Sequence, residues 1–426
     1  MPTIVRLSAL EILDSRGCPT LRARCELSSG AIGAASIPSG ASRGTAEASE
    51  LRDGDPNRFA GLGCSRAAAH VGGEINQHLV ARELSGQHEL DESLRVLDGT
   101  PDKSRLGANA ILATSLAFAR AVALERATPL HRYFASLVDA GPARLPRPTI
   151  NLFSGGKHAG GRVPIQDVLI VPLGPTIGDC LAMAYDVFQS AAELGRRKYA
   201  VRPLRADEGG LSPPFSDVDS MLADAAESIQ RAGYALHTDV ALAVDVAATH
   251  FYDRGVYALG EERLASAAMI DRLLSWQQRY HLVSIEDGLA EDDWENWPRL
   301  ARSLKGRTLV VGDDLLCTNP ARIRRAIESA AADTLLLKVN QIGTLTEAAQ
   351  SFRLARDAGW SVTVSARSGD TEDDWLADLA VGWSADQIKI GSITQSERLA
   401  KYNRLLEIEA ETGWPIVDWP AGQESA

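Results

Sequence analysis

Cysteine is scarce in this 426-residue chain, which has only Cys18, Cys25, Cys64, Cys180 and Cys317. They are odd in number, scattered and free of C-x-x-C spacing, so neither a disulfide framework nor a thiolate metal cage is expected, and a reducing cytoplasm fits best. Positive charge is also in deficit: 44 Lys and Arg stand against 56 Asp and Glu, a formal net charge of -12. This balance argues against nucleic-acid binding and means that an anionic ligand needs a locally basic pocket. The start, Met1-Pro2-Thr3-Ile4-Val5-Arg6, has no basic segment leading into a long apolar core, and no later stretch reads as a membrane span. Neither a targeting signal nor a membrane partner is expected.

Hydrophobic residues are plentiful at 45%, and a chain of this length is expected to fold as two domains. From Ile4 to Ile37 three short β-like runs, Ile4 to Leu13, Leu21 to Leu27 and Ile32 to Ile37, predict a small meander. The small residues of Pro38-Ser39-Gly40-Ala41-Ser42-Arg43-Gly44 follow; they form either a plain flexible loop or one that closes over a ligand. The apolar spacing of Leu106, Ala110, Leu112, Leu116 and Ala119 predicts a helix within Ser104 to Ala127 that covers the meander. Gly141-Pro142 and Leu145-Pro146-Arg147-Pro148 then form a stiff, non-helical stretch. The boundary placed there gives an N-terminal α+β capping domain, 1–140, and a C-terminal β/α barrel domain, 141–426.

In the second part, strand-like runs alternate with helix signals, the mark of a parallel α/β domain. The helix signals include Asn319-Pro320, an N-cap with proline at the first helical position, and Thr344 with Glu347 at capping-box spacing. The runs are Leu242 to Asp245, Leu282 to Glu286, Leu309 to Asp313, Leu335 to Lys338, Val362 to Ser365 and Gln387 to Lys389. Each ends on or beside a charged residue: Asp245, Glu286, Asp313, Lys338, Arg367 and Lys389. They recur at roughly the interval of one strand-plus-helix unit, on the order of 20 to 40 residues. In a β/α barrel such strand ends gather on the C-terminal rim, whereas a doubly wound sheet would spread them along an edge.

Three carboxylates on successive strands, Asp245, Glu286 and Asp313, repel one another unless a cation lies between them. A hard divalent ion with oxygen ligands, most simply Mg2+, meets that need. On the same rim, one of Lys338 and Lys389 can hold an anionic group while the other takes a proton from a carbon that the metal has acidified. Arg367-Ser368 adds a planar fork and a hydroxyl suited to a phosphate or phosphonate. Asp207-Glu208, in the Gly- and Pro-rich run Arg205 to Pro214, is placed to act as general acid on a leaving hydroxyl.

These residues lie in a series of longer motifs. They include Asp14-Ser15-Arg16-Gly17, Pro38-Ser39-Gly40-Ala41-Ser42, Leu51-Arg52-Asp53-Gly54-Asp55, Lys103-Ser104 with Gly107-Ala108-Asn109-Ala110, and Gly155-Gly156-Lys157-His158-Ala159-Gly160. Further on come Asp207-Glu208-Gly209-Gly210, Ile285-Glu286-Asp287-Gly288, Gly312-Asp313-Asp314-Leu315, Lys338-Val339-Asn340-Gln341-Ile342-Gly343 and Lys401-Tyr402-Asn403. In their order and span the chain resembles the enolase family from end to end. The resemblance implies two Mg2+ sites, one conformational site held by Asp245, Glu286 and Asp313 and one catalytic site with Ser42 as ligand. It implies Lys338 as the base at C2 and Glu208 as the acid at the C3 hydroxyl. Lys389 would face the substrate carboxylate, Arg367 and Ser368 the phosphate, and His158 and Gln166 would line the pocket. A small phosphorylated acid and a homodimer or higher homo-oligomer are the implied partners.

The departures from the family pattern fall around that pocket. Enolases carry histidine before the Arg-Ser pair, where this chain has Ser365-Ala366-Arg367-Ser368-Gly369, and they carry Gln-Glu where this chain has Gln166-Asp167. Asp167 thus withdraws a candidate catalytic carboxylate by one methylene, and Arg43, where threonine is usual, puts a positive charge beside Ser42 as a candidate binder of a further anionic group of the substrate. Cys18 and Ala206 replace the usual asparagine and glycine. One reading is drift within a working phosphopyruvate hydratase. The other is a repurposed relative for a larger, more acidic substrate, of which carboxyphosphonoenolpyruvate synthase, from phosphonate-antibiotic pathways, is an example. A catalytically inactive structural relative and an acid-sugar dehydratase or racemase are further alternatives. The retained Lys338, Glu208 and acidic triad speak against the first, and Arg367-Ser368 with the Ser42 loop against the second.

Overall fold

The structure, a computed structural model, describes residues 1–138, 140–161, 163–200, 202 and 204–419. Its N-terminal part is an antiparallel meander of Ile4–Leu13, Pro19–Leu27 and Ile32–Ser36. Alternation along Pro19–Leu27 turns Leu21, Ala23, Cys25 and Leu27 inward while Arg22 and Arg24 stay exposed. The helix Ala108–Glu125 covers the inner face. Its contact with the third strand is so close that a Cβ on Gly33 would lie 2.2 Å from the Ala117 carbonyl oxygen, so only glycine fits. By length and composition this helix could cross a membrane, contrary to the expectation that no such stretch exists. Its residues from Ala108 to Ala119 are all buried inside the protein, and that burial accounts for its apolar composition.

The second part is built on a ten-stranded sheet, of which eight strands close into a barrel and two, Leu204–Arg205 and Leu211–Ser212, form a side hairpin. The barrel strands are Arg147–Ser154, Asp167–Pro172, Val240–Asp245, Ser284–Glu286, Leu309–Gly312, Thr334–Leu337, Ser361–Ser365 and Gln387–Gly391. The last pairs in parallel with the first and closes the ring. Six of the eight match the runs expected from the sequence, and Arg147–Ser154 and Asp167–Pro172 are additional to them.

The expectation of an all-parallel sheet fails at one strand. Asp167–Pro172 is antiparallel to both neighbours, with Asp167 opposite Ser154 on one side and Asp245 on the other. Because it runs backwards, its first residue lies at the rim where the other strands end. Two helices, Ile177–Tyr199 and Val218–Arg231, follow it before the chain enters Val240–Asp245. The extra helix returns the chain to the rim, so that the turn containing Glu208 reaches the site.

Both helix-start signals hold. The Asn319 side chain accepts from the amides of Ala321 and Arg322, with Pro320 at the first position. Thr344 accepts from the Glu347 amide and its hydroxyl donates to the Glu347 carboxylate over 2.7 Å, so the reciprocal half of a capping box is replaced by a side-chain bond. The two parts are joined by buried polar links, among them Lys103–Glu347 at 3.0 Å and Trp375 Nε1 to the Ser36 carbonyl at 3.1 Å. The loop after the meander is pinned to the barrel by paired backbone bonds between Ser39 and Gly369. It therefore lies over the rim as a closed loop.

Candidate active site

Lys338 is the first residue after the strand Thr334–Leu337 and lies at the rim. Its ammonium is 2.5 Å from an Asp313 carboxylate oxygen, and the other Asp313 oxygen accepts from Gln341 at 2.8 Å. Burial is the largest influence and draws the Lys338 pKa down, but Asp313 and Glu286 together leave it above the ordinary lysine value. With Asp313 against it, Lys338 is a charged, paired lysine.

Lys389 holds the other two members of the triad. Its ammonium lies 2.8 Å from Asp245 and 2.7 Å from Glu286, with all three side chains buried. Burial opposes the charge here too, and the two carboxylates raise the lysine well above its usual value. Gln166 donates to Asp245 Oδ2 at 2.9 Å. The cluster therefore carries two ammonium groups among its three carboxylates.

The oxygen-rich donor set and the position of Lys389 between two carboxylates fit a cation at this rim. Two tighter groupings have ligand atoms within 4.8 Å of one another: His158, Asp167 and Glu208, and Asp287, Asp313 and Asp314. Asp313 thus groups with its neighbours Asp287 and Asp314 more closely than with Asp245 and Glu286. Asp287 holds this corner by accepting from the amides of Asp313 at 2.9 Å and Asp314 at 2.7 Å. Burial and the adjacent Asp313 push the Asp314 carboxyl up to about 7.

His158 bridges the acids on the opposite side. Its Nδ1 is 3.1 Å from Asp167 and its Nε2 is 4.0 Å from Glu208. Burial disfavours the imidazolium, but the Asp167 and Glu208 carboxylates prevail and raise its pKa to about 9. Ser154 donates to Asp167 at 2.5 Å and Asn151 to Glu208 at 2.9 Å. For Glu208 burial favours the acid, yet His158, Arg398 and the two lysines together hold it below the ordinary carboxylate value.

The loop side of the site centres on Arg367, whose side chain is 3% exposed. Its guanidinium takes Glu47 in a fork, at 3.0 and 3.1 Å, together with the Asn340 side chain and the Ser42 carbonyl. Burial alone would lower its pKa, and Glu47 raises it above the normal arginine value. The loop backbone lies against this group: a Cβ on Gly40 would be 1.8 Å from Nη2. Ser368 Oγ accepts from the Ala41 amide at 2.7 Å and faces Arg16 at 3.4 Å. The Ser42 hydroxyl is 2.8 Å from His250 Nε2. Arg43, 40% exposed, donates to the Ala48 carbonyl and lies 3.9 Å from Glu47.

Ala366 borders a cavity with Pro38, Asn340, Asp370, Trp375 and Lys401, with room for about one water molecule. The missing imidazole therefore leaves only a small space beside the Arg-Ser pair.

Every candidate from Asp167 to Lys389 thus lies on one rim beneath one loop. Across the chain, two family models match: that of the enolase N-terminal domain over residues 4–134 and that of the enolase C-terminal TIM barrel domain over residues 142–418. The chain belongs to the enolase family. Within that family's fold, the rim contains further residues that sequence reasoning did not select: Glu47, Asn340, Gln341, His250, Asn151 and Ser154. Asn340 and Gln341 belong to the motif that starts at Lys338 and were within reach of the sequence. The pairing of Glu47 with Arg367 spans 320 positions and has no local signal.

Proposed function

We propose that the chain is a Mg2+-dependent enolase-family enzyme that acts on a phosphorylated three-carbon acid of the 2-phosphoglycerate or phosphoenolpyruvate type through an enolate. The observation that carries this reading is the gathering of Lys338, Lys389, Glu208 and Arg367-Ser368 around the acidic triad on one rim.

Asp245, Glu286 and Asp313 would hold one divalent cation and Ser42 would help to hold a second. Bound there, Mg2+ neutralises charge and acidifies the proton next to the carboxylate. Lys338 takes the C2 proton, which requires its neutral form and hence that Asp313 be engaged elsewhere, as its role as a ligand provides. Lys389 binds the substrate carboxylate. Arg367 and Ser368 orient the phosphate, and the closed loop with the buried floor excludes water that would compete for the proton. Glu208 delivers a proton to the departing C3 hydroxyl, with His158 and Asp167 as its proton-holding neighbours and Gln166 fixing Asp245. A cytoplasmic setting is supported by the five cysteines, all free. We expect a homodimer or larger homo-oligomer, by family likeness.

A second reading is favoured by Ala366 and Arg43: an enolase-like synthase, such as carboxyphosphonoenolpyruvate synthase of phosphonate biosynthesis, in which the enolate attacks an activated acid. Purified protein with Mg2+ and 2-phosphoglycerate, followed by the ultraviolet absorbance of the enolpyruvate product, separates the two. Turnover at an ordinary enzyme rate, about 1 to 1,000 per second, sinks the synthase reading. Negligible turnover that returns on Ala366→His with Asp167→Glu supports it.

A further inference from the structure

The guanidinium that would receive the substrate's phosphate is already occupied by the protein itself. Arginine has five N–H donors. Nη1 of Arg367 donates to Glu47 Oε2 at 3.0 Å and to Asn340 at 3.0 Å, and Nη2 donates to Glu47 Oε1 at 3.1 Å and to the Ser42 carbonyl at 2.7 Å. Four of the five donors are thereby taken, and the best geometry for an anion, the two-pronged fork, is filled by Glu47. An incoming phosphate or phosphonate meets this carboxylate as a competitor of the same charge.

Displacing Glu47 has a cost of its own. Its side chain is 4% exposed, and a carboxylate stripped of its partner at that depth is strongly disfavoured. A second guanidinium stands ready: Arg43 Nε is 3.9 Å from Glu47 Oε2, too far for a hydrogen bond and near enough for a small rotation to make one. Arg43 is anchored by its bond to the Ala48 carbonyl at 3.0 Å. The Gly44 amide, 3.1 Å from Glu47 Oε1, holds the carboxylate near both arginines. Arg43 is also the residue at which this loop departs from the threonine usual in the family.

We propose that Glu47 is an internal occupant of the Arg367 anion site and that Arg43 receives its carboxylate when a ligand anion takes its place. This rests on the reading of Arg367 as the phosphate binder and makes Glu47 and Arg43 specificity-determining residues. An anion must outcompete an internal carboxylate, which selects doubly charged phosphates and phosphonates over carboxylic acids. Arg43 acts here on Glu47 and makes no contact with the ligand.

The test is calorimetric titration of orthophosphate into the full-length protein with Mg2+ present, for the wild type, Glu47→Gln, Arg43→Gln and the double variant. Glu47→Gln keeps the side-chain shape and removes the competing charge, so orthophosphate binds about tenfold more tightly. Arg43→Gln weakens binding by a similar factor, and in the Glu47→Gln background it has no further effect, because no carboxylate is left to hand over. Glu47→Asp, whose shorter carboxylate reaches Arg367 less well, tightens binding in the same direction and serves if Glu47→Gln does not fold. Unchanged or weaker binding in the Glu47 variants overturns the proposal and makes Glu47 a prop for Arg367. Equal losses from Arg43→Gln in both backgrounds overturn it in favour of direct anion contact by Arg43. No orthophosphate binding by any variant overturns the phosphate site itself, and with it the broader functional reading.

Discussion

The two sides of the rim differ in how they follow the enolase pattern. On the barrel side, Lys338, Lys389, Asp245, Glu286, Asp313 and Glu208 all match it, and the structure knits them into direct ion pairs and buried hydrogen bonds. On the loop side, Arg43 and Ala366 depart from it, and Arg367 is bound to the chain's own Glu47. Groups that move protons and hold cations must keep their type and reach, whereas groups that recognise the remainder of a substrate can change with it. Asp167 lies between the two: it is a carboxylic side chain bonded to His158 but one methylene shorter than the glutamate usual in the family.

The comparison breaks most directly at Lys338. If the barrel side carries the proton transfer, Lys338→Ala lowers C2-proton exchange of a phosphorylated three-carbon acid by about 1,000-fold or more. Exchange measured by NMR in deuterium oxide checks this, and undiminished exchange would assign the base elsewhere. Next comes Asp313→Ala, expected to lower Mg2+ affinity by about 10- to 100-fold, a range set by analogy with weakened metal sites, and to lower activity with it. Metal titration with and without a chelator reads both, and unchanged affinity removes Asp313 from the ligand set.

On the loop side, Ala366→His is expected to shift the preference between 2-phosphoglycerate and a bulkier acidic analogue by about 10- to 200-fold by placing an imidazole beside the Arg-Ser pair, where the present cavity holds only about one water. Ratios of kcat/KM give the answer, and an unchanged ratio would show that this space does not set specificity.

A smaller effect concerns His158, which bridges Asp167 and Glu208. Its folded pKa of about 9 lies above the ordinary 6.5, so the folded state binds the proton more tightly. The stability it contributes is full below 6.5 and is lost as pH rises through about 9. NMR titration of the imidazole reads this value directly; Asp167→Asn lowers it, and a titration still near 9 in that variant would discount the Asp167 bond. The smallest effect lies away from the site: Asn319→Ala removes a helix cap and costs about 1 kcal/mol in chemical denaturation without altering turnover.

How far the site could be read from the sequence follows from the kind of signal each part leaves. Strands ending in charge are a local pattern, and the runs to Asp245, Glu286, Asp313, Ser365 and Lys389 are found as strands or strand ends with bounds shifted by a residue or two. Strand direction leaves no such trace. The continuous apolar run in Asp167–Pro172 is that of any strand buried on both faces, and only its pairing with Arg147–Ser154 and Val240–Asp245 reveals that it runs backwards. The loop motif told of small residues at 38–44 but not of their partner, because the Glu47–Arg367 pair depends on tertiary closure. Lys338 was legible as the charged end of a strand, whereas its ion pair with Asp313, 25 positions away, depends on the barrel closing and leaves no local trace.

The most direct measurement of the central claim is hydrogen exchange at C2 of 2-phosphoglycerate in deuterium oxide, with the wild-type chain and Mg2+. Exchange reports enolate formation whether the next step is loss of water or attack on a second substrate. The account predicts Mg2+-dependent exchange that disappears in Lys338→Ala. Absence of exchange with 2-phosphoglycerate and other phosphorylated three-carbon acids, in a folded, Mg2+-loaded protein, would contradict it.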